Sequence, residues 1–263
     1  MTLFWQHFRA QRNGLFIWLA ASVVTTISVA SAARSMEQSD LMSKLGQAAP
    51  PALQALMGTL PGLSPVDGFI QAKMGTGMAL ILPVYACLLA MSAITREVDR
   101  STADFLLTLP VGRTRLLLDR WGVMAANLAI LTLSVWVALV VGLKASQVIG
   151  SFGGYFWMLA QDWLLAVTIG SLTLLVSLWI DDYSLGVKAA LAGTGTLYVI
   201  DLGMRVAGIS KWGRSFNPFT YVDAARTVMD GHLPWGDAAV LAVTSGLSLW
   251  LAVQAFGRKQ IYS

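Results

Sequence analysis

The sequence predicts an all-α integral membrane protein with six transmembrane helices, built from residues 1–263 as a single domain. Two observations carry this. The 263-residue chain is 56% hydrophobic and only 12% charged, about half the charge of an ordinary soluble domain, so too few solvated side chains exist to cover a globular surface. Repeated charge-poor runs approach the ~20 residues that a helix needs to cross the hydrocarbon of a bilayer. A mean hydropathy of +0.65 agrees. Soluble-enzyme and disordered classes are excluded by the same numbers. The net charge of +4 is better explained by membrane topology than by a nucleic-acid surface, so no nucleic-acid partner is expected.

The spans follow in order. Five runs carry no charge: Asn13 to Ala33, Met74 to Thr95, Trp121 to Leu143, Trp163 to Ile180 and Ala238 to Gly257. A sixth, Leu185 to Gly208, is apolar but holds Lys188, Asp201 and Arg205, and it becomes the fifth span in chain order. Ahead of the first, Leu3, Phe4, Trp5 and Phe8 beside Arg9 and Arg12 read as an interfacial elbow helix. Ala30-Ser31-Ala32 has the form of a signal-peptide cleavage site, but the apolar core before it is longer than a secretory signal needs. The segment reads as a retained helix.

Between the first and second spans, Pro51 followed by Leu53, Leu56, Met57 and Leu60 predicts an amphipathic helix on the outer interface. Within the second span, Pro83 removes a backbone hydrogen bond to Ala79, which predicts a kink or hinge. Cys87, the single cysteine, excludes an internal disulfide and a CxxC metal pair. Asp181-Asp182 at the end of the fourth span reads as a solvated pair in a tight loop. In the fifth, Asp201 and Arg205 stand four apart on one helix face and are expected to pair. The simpler reading is an ion pair at the outer interface; the functional one makes them part of an outer gate. Ala189 and Gly193 have the small-xxx-small spacing of a close helix contact, within the chain or across a dimer. Further on, Trp212, Phe216, Phe219, Tyr221 and Trp235 surround a helical pattern from Thr220 to Asp230 that stops at Gly231. It is expected to touch or re-enter the membrane.

Orientation follows from Lys and Arg. With the N-terminus inside, the inner segments hold Arg9, Arg12, Arg96, Arg100, Arg113, Arg115, Arg120, Lys188, Arg258 and Lys259, ten against eight in much longer outer segments. Both termini are therefore expected to be cytoplasmic.

The richest inner segment runs from Arg96 to Arg120. Ser101 followed three residues on by Asp104 has the form of a capping box, and Pro110 disfavours helix at Leu109. A short helix results, apolar at Phe105, Leu106 and Leu109 and charged at both flanks. Gly112 allows a bend, after which Thr114 caps the helix leading into the third span. A short amphipathic helix of this kind, facing the cytoplasm, needs a partner.

Glu97, Thr102, Leu106-Leu107, Pro110, Arg113, Leu117-Leu118 and Arg120 together resemble the signature between the second and third spans of ABC-2 type transporter permeases. Ser101 stands where that family often has Gly, and Arg120 where it often has Lys. The resemblance implies that Glu97, Ser101, Thr102, Phe105, Leu106, Leu107, Pro110, Arg113 and Arg120 couple the chain to a separate ABC ATPase. It further implies two ATPase copies, a second permease chain forming a homodimer, residence in a bacterial or archaeal plasma membrane, and ATP and Mg bound by the ATPase rather than by this chain. Pro83, Gly193, Asp201 and Arg205 would then belong to the substrate pathway or its gate.

The chain contains no G-x-x-x-x-G-K-[ST] and no HExxH, and its two histidines, His7 and His232, lie far apart. No catalytic or metal-ligating set is expected, and intramembrane carboxylates read as nearly absent. The leading expectation is a permease moving an amphipathic substrate, with export the favoured direction. A membrane scaffold or sensor that docks the same ATPase without transport is the alternative, and an enzyme acting on lipid is the third reading.

Overall fold

The computed structural model describes residues 2–37, 63–99, 113–180 and 182–258. Helix α1 (Thr2–Glu37) is followed by α2 (Pro65–Ile70), a π-helical turn (Gln71–Gly75) and α3 (Thr76–Asp99). Then come α4 (Arg113–Ala145), α5 (Phe152–Ser177) and α6 (Tyr183–Val206). Two 3-10 turns (Lys211–Arg214 and Pro218–Tyr221), α7 (Ala224–Asp230) and α8 (Trp235–Arg258) complete the order. No strand occurs among the described residues. Among the described residues, six helical stretches are long and apolar enough to cross a membrane: Gln11–Arg34, Pro65–Ser92, Thr114–Ala145, Phe152–Ser177, Tyr183–Val206 and Trp235–Phe256.

All six expected spans are present, with three local differences. The second begins at Pro65, because the Ser64 hydroxyl accepts from the Asp67 amide and Pro65 occupies the first turn, where its missing N–H costs nothing. The fourth begins at Phe152, so Asp162 lies inside it rather than before it. Helix α1 is continuous from Thr2, and the expected elbow is the first part of that one helix. Nothing in this stretch breaks it, since Gly14 is the lone glycine there and proline is absent.

Helix α3 runs continuously through Pro83, and the helical irregularity lies upstream in the π turn. The expected amphipathic helix near Pro51 lies outside the described residues. Asp182 acts locally, capping α6 by accepting from the Leu185 amide at 3.0 Å. The helix expected to end at Gly231 does so, with that residue in the left-handed conformation (φ 68°) that glycine adopts without strain.

Cross-contacts set the helix directions. Gln11 bonds Asn127 at 2.8 Å, and Ala30 stands beside Gly142, so α1 and α4 run parallel. Asp67 accepts from the Ser151 amide, while Cys87 lies 3.3 Å from the Thr173 hydroxyl, so α3 and α5 run parallel. The bonds Thr168 to Leu241 and Ser171 to Ser245 make α8 parallel to α5. Trp163 reaches Ala125 and Trp121 reaches Ser171, so α4 runs antiparallel to α5. Thr2, Asp99, Arg113 and Arg258 therefore share one end of the bundle. The opposite, far end carries α2, the 3-10 turns and α7.

Helices α3 and α5 form the centre, with α1 packed on α4 at one flank, α6 against α3 and α8 against α5. Leu82, Leu128, Leu131, Leu139 and Met158 are fully buried there. Cys87 also lies 3.3 Å from the Thr194 hydroxyl, so one thiol joins three helices. Interhelical polar contacts of this kind contribute roughly 1 kcal/mol each in a bilayer. Most of the surfaces of α1, α6 and α8 remain open, and Phe16, Ile17, Val199, Leu247 and Trp250 are exposed on them. Such surfaces suit lipid.

Candidate functional site

At the termini-bearing end, α3 carries Glu97 in its last turn and α4 opens on Arg113, so the fold brings the two flanks of the expected coupling helix to one end of the bundle. Ser101, Thr102, Phe105, Leu106, Leu107 and Pro110 lie outside the described residues. Arg120 is described and buried, two turns into α4.

The far end holds a charged latch built on α6. Asp201 is 5% exposed. Its Oδ2 accepts from Arg205 Nε at 2.5 Å, the i,i+4 pair that the sequence spacing predicts. Its Oδ1 accepts from the Thr220 hydroxyl at 2.7 Å and from Arg214 Nη1 at 3.5 Å. Arg205 extends the latch, its Nη2 donating to the carbonyls of Phe219 at 2.8 Å and Val222 at 3.1 Å. Asn217 adds a bond to the Leu197 carbonyl at 2.6 Å. The pair is thus more than a neutralised charge at an interface: it stitches the returning segment 214–222 to the end of α6. Gln161 of α5 holds the same segment from the other side, donating to the Tyr221 carbonyl at 2.7 Å and accepting from the Thr227 hydroxyl at 2.9 Å.

Beside the latch lies a cavity of about 230 Å³ between the π turn, α6 and the start of α7. Gln71, Tyr198, Asp201, Arg205, Phe219 and Asp223 line it. The remaining two expected pathway residues do not reach it. Pro83 is buried within α3. Gly193 is exposed on α6 with nothing within 4 Å of a built Cβ, so it makes no close helix contact within the chain. The small-residue contact expected at Ala189 and Gly193 therefore has no partner among the described residues.

The sequence reading missed two polar residues. Asp67 accepts from the Ser64 hydroxyl at 2.7 Å, from the Ser151 amide at 3.1 Å and from the Tyr155 hydroxyl, fastening α2 to the start of α5. Asp162 is fully buried in α5, with neither carboxylate oxygen hydrogen-bonded among the described residues. It corrects the expectation that intramembrane carboxylates are nearly absent. One turn before it, Met158 lies against Gly75, which places Asp162 near the face of α5 that meets the π turn.

The pattern of the family described as "ABC-2 family transporter protein" matches residues 1–212, from α1 through α6. The chain belongs to the ABC-2 transporter family. Its bundle is that of a permease, the membrane subunit of an ABC transporter rather than its ATPase. Membership also implies an ABC ATPase as partner of this ABC-2 permease. No curated protein matches it. The family pattern ends before Thr220 and α7, so it covers Asp201 and Arg205 but leaves out half of the latch.

Proposed function

We propose that this ABC-2 permease moves an amphipathic substrate outward across the plasma membrane, driven by ATP hydrolysis in two ABC ATPase subunits bound at the termini-bearing end. The observation that carries the reading is the family match over the first five of the six spans, together with the return of Glu97 and Arg113 to one end of the bundle. Residues 97 to 113, with Arg120 behind them, form the coupling element, and both termini lie in the cytoplasm on that side. Two copies of the chain pair through the open face of α6, where Ala189 and Gly193 leave room for close approach. ATP and Mg sit on the ATPase. The Asp201–Arg205 latch forms the gate at the far end, and Pro83 gives α3 a place to bend.

Replacement of Leu106 by Asp tests coupling, since an unpaired charge in a desolvated contact costs several kcal/mol. The variant is expected to insert and fold while losing ATPase co-purification or coupled hydrolysis. Full coupled activity in Leu106→Asp removes this segment from the mechanism. ATPase binding with no substrate movement in a reconstituted vesicle would instead make the chain a scaffold or sensor.

A further inference from the structure

The cavity beside the latch has a polar inventory that the fold leaves incomplete. Arg205 spends its Nε on Asp201 and its Nη2 on two carbonyls, while its Nη1 donates to nothing among the described residues. The Arg205 side chain is one-third exposed. Asp223 uses Oδ1 to cap α7 by accepting from the Arg226 amide, and its Oδ2 has no partner among the described residues. Asp223 and Arg205 both line the cavity and form no ion pair with each other. Gln71, 6% exposed, adds an amide whose Oε1 has no partner among the described residues. Thr76 and the already engaged Asp201 complete the polar lining, and the rest of the wall is apolar or aromatic, with Ala79, Tyr198, Leu202, Val206 and Phe219. Val206, at 54% exposure, forms a rim on the lipid-suited surface of α6.

A ligand matched to this inventory carries an anionic oxygen for the guanidinium, a hydrogen-bond donor of positive charge for Asp223, and an apolar part that leaves past Val206. A simple anion would leave Asp223 unanswered; a simple amine would leave Arg205 so. We propose that the cavity binds a phosphoester–ammonium headgroup, the chemistry shared by phosphatidylethanolamine and soluble phosphoethanolamine. The phosphate oxygen takes Arg205 Nη1 and the ammonium takes Asp223, while acyl chains follow α6 into the bilayer. The site goes beyond the transport reading, because it requires neither ATPase nor a second chain.

The test is equilibrium binding to the full-length chain in detergent, with dihexanoyl phosphatidylethanolamine, dihexanoyl phosphatidylglycerol and O-phosphoethanolamine as probes. The first should bind saturably, and phosphatidylglycerol about tenfold more weakly for want of the ammonium, a factor of ten being about 1.4 kcal/mol. Val206→Trp obstructs the rim from an exposed position and leaves the latch intact; Leu202→Trp fills the cavity itself. Each should weaken binding about tenfold or more, with circular dichroism and gel filtration showing an unchanged fold. O-phosphoethanolamine binding as tightly as the lipid would support the headgroup site and assign it to the soluble compound. Unchanged phosphatidylethanolamine affinity in Val206→Trp, or equal affinity for both lipids, overturns the proposal. A chain that binds the lipid yet fails to couple to an ATPase leaves this site standing and defeats only the transport reading.

Discussion

Thr220 donates its hydroxyl to Oδ1 of Asp201 at 2.7 Å across 19 positions of sequence. The bond turns an intrahelical ion pair into a clasp between a helix and the segment that folds back over its end. Arg205 and Arg214 both lean on the same carboxylate, so removal of its charge strands two guanidinium groups.

Asp201→Asn is accordingly expected to destabilise the chain by about 2 to 3 kcal/mol, below the full cost of a wholly buried pair because Arg205 is partly exposed. Thr220→Val, which removes one neutral donor, should cost about 1 kcal/mol. Thermal unfolding of the two variants in the same detergent checks the ranking; a Thr220 variant as damaged as the Asp201 variant would contradict it.

Asp162 behaves in the opposite way. Both its oxygens are buried and unbonded among the described residues, so Asp162→Asn removes the possibility of a charge and breaks no hydrogen bond. The variant should match or exceed the parent in unfolding midpoint. A drop of about 2 kcal/mol would mean that the carboxylate makes a favourable contact after all.

Two glycines separate packing inside the chain from packing between chains. A Cβ built at Gly75 lies 2.7 Å from the Ala224 Cβ and 2.9 Å from the Met158 sulfur, whereas one at Gly193 meets nothing. Gly75→Val should cost about 1 to 3 kcal/mol through overpacking. Gly193→Leu should fold normally and, if α6 lies in the dimer contact, yield monomers on gel filtration. A Gly193 variant that stays dimeric moves the contact to another face.

Topology has its own test. Cysteine placed at Ser43 should react with an impermeant maleimide added to intact cells, and cysteine at Ser101 should not, while the native Cys87 is fully buried. The reverse pattern inverts the orientation.

The parts of this structure that were legible in the sequence are those with a local cause. Spans show as runs of ~20 apolar residues, the Asp201–Arg205 pair as a spacing of four on one helix, and the stop at Gly231 as a glycine after a helical pattern. Asp162 was illegible because a charge beside an apolar run reads as the end of a span, although α5 begins ten residues earlier at Phe152. Arg214, Thr220 and Asp67 were illegible for another reason: their partners are chosen by the fold. Asp67 meets Ser151 across 84 positions and Tyr155 across 88, and no periodicity links them. Gly193 looked the same in sequence whether its neighbour lay inside the chain or outside it.

The π turn at Gln71–Gly75 acts as a phase shifter. A wider turn accommodates one residue more than an α-helical turn does, and each residue of an α-helix advances the side chains by about 100°. Asp67 is thereby aimed at Tyr155 from one side of the turn while Met78 and Leu82 are buried on the other. Were the same residues to close into regular α-helix with none removed, α2 would rotate relative to α3 by about that angle, pointing the Asp67 carboxylate away from α5. The second span would keep its hydropathy and lose its alignment, so two chains with the same membrane-helix profile would aim this carboxylate at different neighbours.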